Sequence, residues 1–166
     1  MLRHILTVIG GLVVVGFGVL QAIPYGRGHT NPPVQQEPQW DSPQTRQLVV
    51  RACYDCHSNQ TVWPWYSYIA PVSWLVYKDV MEGRAKLNFS EMPQKEAHEA
   101  AESVQKGSMP PRIYTLIQSK ARLSAAEKQA LVAGLRATLG GKETQKGEEA
   151  KEAEEAVEGA EEYEED

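Results

Sequence analysis

Cysteine is scarce in this sequence: two residues in 166, Cys53 and Cys56. That scarcity removes the disulfide framework of a small secreted scaffold. It also removes a structural zinc site, which wants four Cys/His ligands in paired knuckles. A disulfide between the two thiols themselves would close a tiny, strained loop and constrain little of the unfolded chain. The four histidines include no pair at metal-ligand spacing, although a three-ligand catalytic zinc is not removed by count alone. Long Lys/Arg runs are missing as well, so nothing argues for nucleic acid. The formal net charge of −5 comes from one end: residues 141–166 hold twelve Asp/Glu against three Lys, a net of −9, which leaves residues 1–140 mildly basic at +4.

Charge is absent altogether from residues 5–23, nineteen positions in which only Thr7 and Gln21 are clearly polar. A helix of that length reaches about 28 Å, close to the hydrocarbon thickness of a bilayer. It reads either as an uncleaved membrane anchor or as a signal peptide with a long apolar region. The best cleavage candidate, Leu20-Gln21-Ala22, places a leucine where signal peptidase prefers a small residue, which favours the anchor. Arg3 on the short side would stay cytoplasmic, placing the rest outside. The expected location is therefore a single-pass inner-membrane protein with its domain in the periplasm, or a periplasmic protein if the segment is removed.

The remaining chain divides by composition. Residues 24–40, with Pro24, Pro32, Pro33, Pro38, Gly26 and Gly28, read as an extended linker lifting the domain off the membrane, His29 being solvated within it. Residues 41–140 leave room for one small domain, and residues 141–166 read as an acidic, disordered tail without an apolar face. A domain of about 100 residues is short of core, so a large apolar cofactor would supply part of what it lacks.

What is there is Cys53-Tyr54-Asp55-Cys56-His57. Two thiols bracketing two residues, with an imidazole immediately after, suit covalent attachment of a c-type haem. One helical turn presents both sulfurs to the same macrocycle edge, and His57 is placed to reach the iron as proximal ligand. A thioredoxin-like dithiol would want a strand before the motif, whereas the residues before Cys53 read as a helix. That helix is expected to start after Asp41 or Ser42, with Pro43 in its first turn. Its apolar stripe of Leu48, Val49, Ala52 and Cys56 would carry the motif at its C-terminal end.

An all-α pattern continues from there. Trp63, Trp65, Tyr66 and Tyr68 crowd around Pro64. They are expected either as a small aromatic core or as a wall on one haem face, with a carbonyl near Pro64 accepting from His57. Pro71 opens a helix with Val72, Leu75, Val76 and Val80 as its buried face and Gly83 as its cap. Arg84, Lys86 and Arg112 read as ordinary surface cations able to pair with a propionate. Pro93 opens another helix on Ala97, Ala100, Ala101 and Val104, with His98 on its polar side and Gly107 at its end. Ser124 and Glu127 form a capping box for a last helix. Its buried face is Leu131, Leu135 and Leu139, and Gly134 is expected to let it cross closely against the helix of Leu48 and Val49.

Between the last two of these helices lies Ser108-Met109-Pro110-Pro111. Prolines fix φ and remove donors, so this is a stiff loop able to hold one soft thioether, and Met109 is the expected sixth iron ligand. Met92, also followed by proline, is the runner-up.

Residues 40–140 resemble the bacterial haem-binding-domain family of short, membrane-anchored, cytochrome-like proteins, and more broadly monohaem class I cytochromes c. The resemblance rests on residues 53–57 followed by Ser58-Asn59, Pro64-Trp65-Tyr66, Ala70-Pro71-Val72-Ser73-Trp74-Leu75-Val76, Gly83-Arg84, Leu87-Asn88-Phe89-Ser90 and Gly-Ser-Met-Pro-Pro at residues 107–111. Met92 departs from it, standing where an aromatic is expected. The resemblance implies a small cytochrome c-like helical domain around one covalently attached haem c, and electron transfer with protein redox partners rather than enzyme catalysis. Two rivals stand beside it: a haem-based sensor or small-ligand binder with a weak or open sixth site, and a dithiol oxidoreductase.

Overall fold

The computed structural model describes residues 1–94 and 97–140. Among them there are seven α-helices, two short 3-10 turns and no strand; a single isolated bridge joins Gln36 and Glu91. The all-α expectation is met. The acidic tail expected over residues 141–166 lies outside the described residues.

The first helix, α1 (Leu2–Ala22), is long and apolar enough to cross a membrane, and none of its residues is buried. The chain forms two compact units, the first of which includes α1. The first takes residues Met1–Glu37 and Cys53–Met92, and the second Pro38–Ala52 with the chain from Pro93 onward.

The first unit holds α1, α3 (Tyr54–His57) and α4 (Val72–Lys86), with a 3-10 turn at Trp65–Tyr68 packed on α4. Its interior is unusual for its size. The buried apolar side chains are Tyr54, Ala70, Val80 and Phe89, Tyr54 and Phe89 having ring centroids 5.9 Å apart. Buried beside them are Ser58, Asn59, Thr61, Ser67, Ser73, Asn88 and Ser90. Buried polar groups are generally hydrogen-bonded, and a chain of such bonds links Asn59, Asn88 and Ser90, while the Ser73 hydroxyl has no partner among the described residues. Asn88 Nδ2 donates to Asn59 Oδ1 (2.8 Å), Ser90 N to Asn88 Oδ1 (3.0 Å) and Asn59 N to Ser90 Oγ (2.9 Å).

The segment expected as a free spacer is tied into this network. Asn59 Nδ2 donates to Pro33 O, the Gln35 and Gln36 amides both donate to Ser90 O, and Met92 N donates to Gln36 O. Prolines kept the segment extended, but extension supplied open backbone groups that residues 88–92 satisfy. His29 also departs from expectation. Its ring stacks on Trp63 (centroids 4.3 Å) and meets Tyr68 edge-on, with both ring nitrogens buried and unpaired.

The second unit holds α2 (Pro43–Ala52), α5 (Glu99–Lys106), α6 (Arg112–Ile117) and α7 (Ala125–Leu139). Ser42 Oγ accepts from Thr45 N at the start of α2, and the Ser124/Glu127 capping box opens α7 as predicted. Leu48, Val49, Ala52, Ala101, Val104, Leu131 and Leu135 are buried. The predicted close crossing is present: a Cβ on Gly134 would stand 2.0 Å from Thr45 Oγ1. The helix α5 is shorter than its pattern, beginning at Glu99 rather than at Pro93.

Candidate functional site

The helix of Leu48 and Val49 does not run on into the motif. It stops at Ala52, and Cys53, at φ −124° and ψ −32°, separates it from the short helix α3. The backbone restarts at once, with Cys56 N and His57 N both donating to Cys53 O. Both thiols and the imidazole therefore sit on one tight turn of their own.

The turn is held against α4. Gly83, expected to end that helix, lies inside it, because the helix continues to Lys86. A Cβ at Gly83 would stand 2.5 Å from the Cys56 carbonyl oxygen and 3.1 Å from the Cys56 Cβ. Only a residue without a side chain lets the two backbones meet there. The buried face of α4 is Ser73, Val80 and Gly83. Of the expected apolar stripe, Val72 and Leu75 are exposed and only Val80 is buried. The helix turns small residues inward to admit the motif, which periodicity of large apolar residues does not reveal.

His57 is fixed by that approach. Its Nδ1 lies 3.0 Å from Gly83 O and 3.0 Å from Leu87 O. Carbonyls only accept, so Nδ1 carries the proton and shares it between them. The remaining nitrogen, Nε2, keeps its lone pair, and no hydrogen bond from the described residues engages it. The acceptors are a carbonyl of the last turn of α4 and that of its C-cap Leu87, not the expected one near Pro64, whose oxygen is taken by the Ser67 amide and hydroxyl. Burial lowers the imidazole pKa, against the pull of the two carbonyls, so the ring is neutral at pH 7.

The thiols shift the other way. Cys53 is pushed up to about 12, by burial first and by Cys56 second. Cys56 is also pushed up to about 12, by burial and then by Asp79 and Asp55, with Arg84 opposing. As whole residues they are partly exposed, yet their sulfurs are desolvated enough to stay protonated.

Arg84 is not a free surface cation. Nε donates to Ser58 O (2.8 Å), Nη1 to Thr30 O (3.0 Å), and Nη2 to Asn31 Oδ1 and Thr61 Oγ1 (2.9 Å each). It thus ties α4 to the residue after His57 and to the segment after α1. Phe89 N donates to His57 O (2.8 Å), adding a second brace from residues 87–90. Arg84, Gly83, Leu87, Asn59 and Asn88 are the positioning residues that the motif alone did not disclose. The available signal was the clustering of Ser58-Asn59 and Leu87-Asn88-Phe89-Ser90, whose amides and hydroxyls are too many for exposed loops.

The aromatic wall is only partly a wall. Trp63 Nε1 is committed to Asn31 Oδ1 (3.2 Å), while Trp65 and Tyr68 are exposed. Met92 is partly exposed in the same unit as His57. Met109 belongs to the second unit, where its amide donates to Ser103 O (3.2 Å) and its side chain lines a hollow with Gly107, Pro110, Thr115 and Leu123. Among the described residues no group of three or more His, Cys, Asp or Glu is placed to hold a metal ion.

Chemically, the turn offers two neutral thiols one turn apart and a neutral imidazole whose free nitrogen is aimed by a doubly accepted N–H. This donor set fits haem: a soft-to-borderline nitrogen for iron, with its orientation set by carbonyl acceptors behind it. The sparse apolar interior of the first unit fits it too, since a large planar apolar group would add the burial that Tyr54, Ala70, Val80 and Phe89 do not provide. A family model described as a haem-binding domain matches residues 15–137, from within α1 to the last turn of α7. No curated protein and no solved structure matches the chain.

Proposed function

Because this chain belongs to the haem-binding domain family, we propose that it is a membrane-anchored, periplasmic, monohaem c-type cytochrome that carries single electrons between protein partners. Haem bound here supplies a reversible one-electron change at iron. Cys53 and Cys56 are the attachment residues, each sulfur bonding to one vinyl-derived carbon, and His57 is the proximal ligand. The observation that carries the reading is the His57 Nδ1 proton shared between Gly83 O and Leu87 O, which leaves Nε2 as the donor and fixes the ring plane. The chain's work is then to hold one geometry through both charge states. Gly83 lets α3 lie directly on α4, Arg84 pins the residue after His57, and the Asn59/Asn88/Ser90 knot keeps residues 87–90 in place. None of these groups is an acid or base set to act on a substrate.

Met109 is assigned as the sixth ligand, supported by its place in the Gly-Ser-Met-Pro-Pro loop, with Met92 as the competitor. The dithiol alternative loses ground on the thiols. An oxidoreductase cysteine needs its pKa lowered to expose thiolate at neutral pH, and both are pushed up to about 12.

The test is the intact mass and optical spectrum of full-length protein made in a host able to attach haem. The expected mass is that of the chain plus one haem, surviving acid and organic extraction, and lost when Cys53 and Cys56 are both replaced by alanine. A colourless protein of unmodified mass overturns the assignment. Methionine ligation is read from the weak long-wavelength sulfur-to-iron band of the oxidised protein. That band disappears in Met109→Ala and persists in Met92→Ala, and the opposite pattern transfers the role to Met92.

A further inference from the structure

Residues 58–77 contain no Asp, Glu, Lys or Arg. Within that uncharged stretch Trp65 is 75 % exposed, Tyr68 58 %, Val72 43 % and Leu75 52 %. Large apolar side chains so close together are costly to leave in water, and their position relative to α1 says what meets them. Gln21, in the last turn of α1, grips the backbone at Ala70 with both ends of its amide: Nε2 donates to Ala70 O (2.9 Å) and Oε1 accepts from Ala70 N (3.1 Å). Three residues beyond α1, Tyr25 meets Tyr77 of α4 edge-on with ring centroids 5.6 Å apart. The Arg27 guanidinium donates to the Gln21 carbonyl. The exposed residues thus flank the point where α1 ends, held there by side chains and not by a free spacer.

We propose that residues 65–75 form a membrane-docking surface that seats the first unit on the lipid interface beside the end of its own anchor. Tryptophan and tyrosine favour the headgroup level of a bilayer, where an apolar ring and a polar tip are both satisfied. The 3-10 turn Trp65–Tyr68 offers one of each, and Val72 and Leu75 add an aliphatic floor. With no charge in the stretch, the contact is driven by apolar burial and is independent of salt and of anionic lipid. Along α4, Gly83, where the motif meets the helix, is eleven residues from Val72 and eight from Leu75, about 16 and 12 Å along the axis.

This inference rests on α1 being an uncleaved anchor, and the experiment separates the two. Full-length, haem-loaded protein is reconstituted into phosphatidylcholine vesicles that carry a diazirine on the acyl chain, then photolysed and mapped by peptide mass spectrometry. Labelling of both α1 and residues 65–75, well above that of α7 (Ala125–Leu139), is expected. In Trp65→Gln/Val72→Gln/Leu75→Gln, three substitutions at exposed positions, labelling of residues 65–75 is lost, while α1 labelling and the haem spectrum are kept. Labelled α1 with residues 65–75 at the α7 level overturns the docking surface and leaves the anchor standing, as when bound haem rather than lipid covers these side chains. Unlabelled α1, or a mature chain that has lost it, overturns the anchor and the docking surface with it. Undiminished labelling in the triple variant also overturns the assignment to these side chains.

Discussion

At the scale of single residues the motif titrates in two separate windows, and the proposed haem attachment would abolish one of them. Burial holds the His57 pKa below its ordinary 6.5, so between the folded value and about pH 6.5 the unfolded chain binds a proton that the fold refuses. Stability of the cofactor-free protein therefore falls as pH drops below 6.5 and is fully recovered above it. The thiols have the opposite sign. With folded values raised from 9.0 to about 12, the fold keeps protons that the unfolded chain releases, and stability falls as pH rises from 9 toward 12. The limit for each thiol is about 1.4 kcal/mol per pH unit. Thioethers do not titrate, so in the loaded protein this alkaline loss disappears. Urea unfolding of cofactor-free and loaded protein across pH 5 to 11 reads both windows. An alkaline limb that is identical in the two forms contradicts thioether formation at Cys53 and Cys56.

At the scale of elements, the helices that end in hydrogen-bonding side chains and pack through large apolar faces were legible in the sequence. The Ser124/Glu127 box, the start of α2 at Pro43 and the crossing at Gly134 all follow from capping chemistry and 3.6-residue periodicity. What escaped was packing by small and polar residues. Gly83 reads as a helix end because glycine usually sits there. Its actual role is close approach to Cys56 from within the last turn of α4, which depends on a partner that periodicity cannot see. The burial of Asn59, Asn88 and Ser90 was not legible, since buried amides and hydroxyls show no hydrophobic pattern. The Gly134 crossing gives a measurable case. Gly134→Ala gains about 1 kcal/mol of helix propensity but drives a methyl to 2.0 Å from Thr45 Oγ1 and 2.6 Å from its Cγ2. Overpacking of that kind costs about 1–3 kcal/mol, so a net loss of stability is expected in chemical denaturation. Thr45→Ala in the same chain removes both atoms, and the double variant is expected to be more stable than the sum of the single changes predicts. Additive behaviour places the two helices further apart than described.

At the scale of the whole molecule, the proposed haem attachment and periplasmic orientation would depend on very few charges. Ahead of the uncharged run stands Arg3, in the first turn of α1. On the other side the first fixed cation is Arg27, and the next is Arg46. Orientation follows the Lys/Arg bias within about 15–20 residues of a span, so the difference here rests on one charge at each terminus of the bias: Arg3 favours retention inside, and Arg27 opposes export of the remainder. Arg3→Glu is therefore expected to leave a fraction of chains with the haem motif on the cytoplasmic side, without touching any residue of the fold. Protease added to intact spheroplasts measures the exported fraction, and the haem-to-chain ratio of the membrane extract measures loading. If attachment takes place only outside, as proposed for this protein, the two quantities fall together across Arg3→Glu, Arg27→Gln and the wild type. A loading ratio that stays constant while accessibility drops places attachment on the cytoplasmic side and removes the periplasmic assignment, leaving the donor geometry of His57 unchanged.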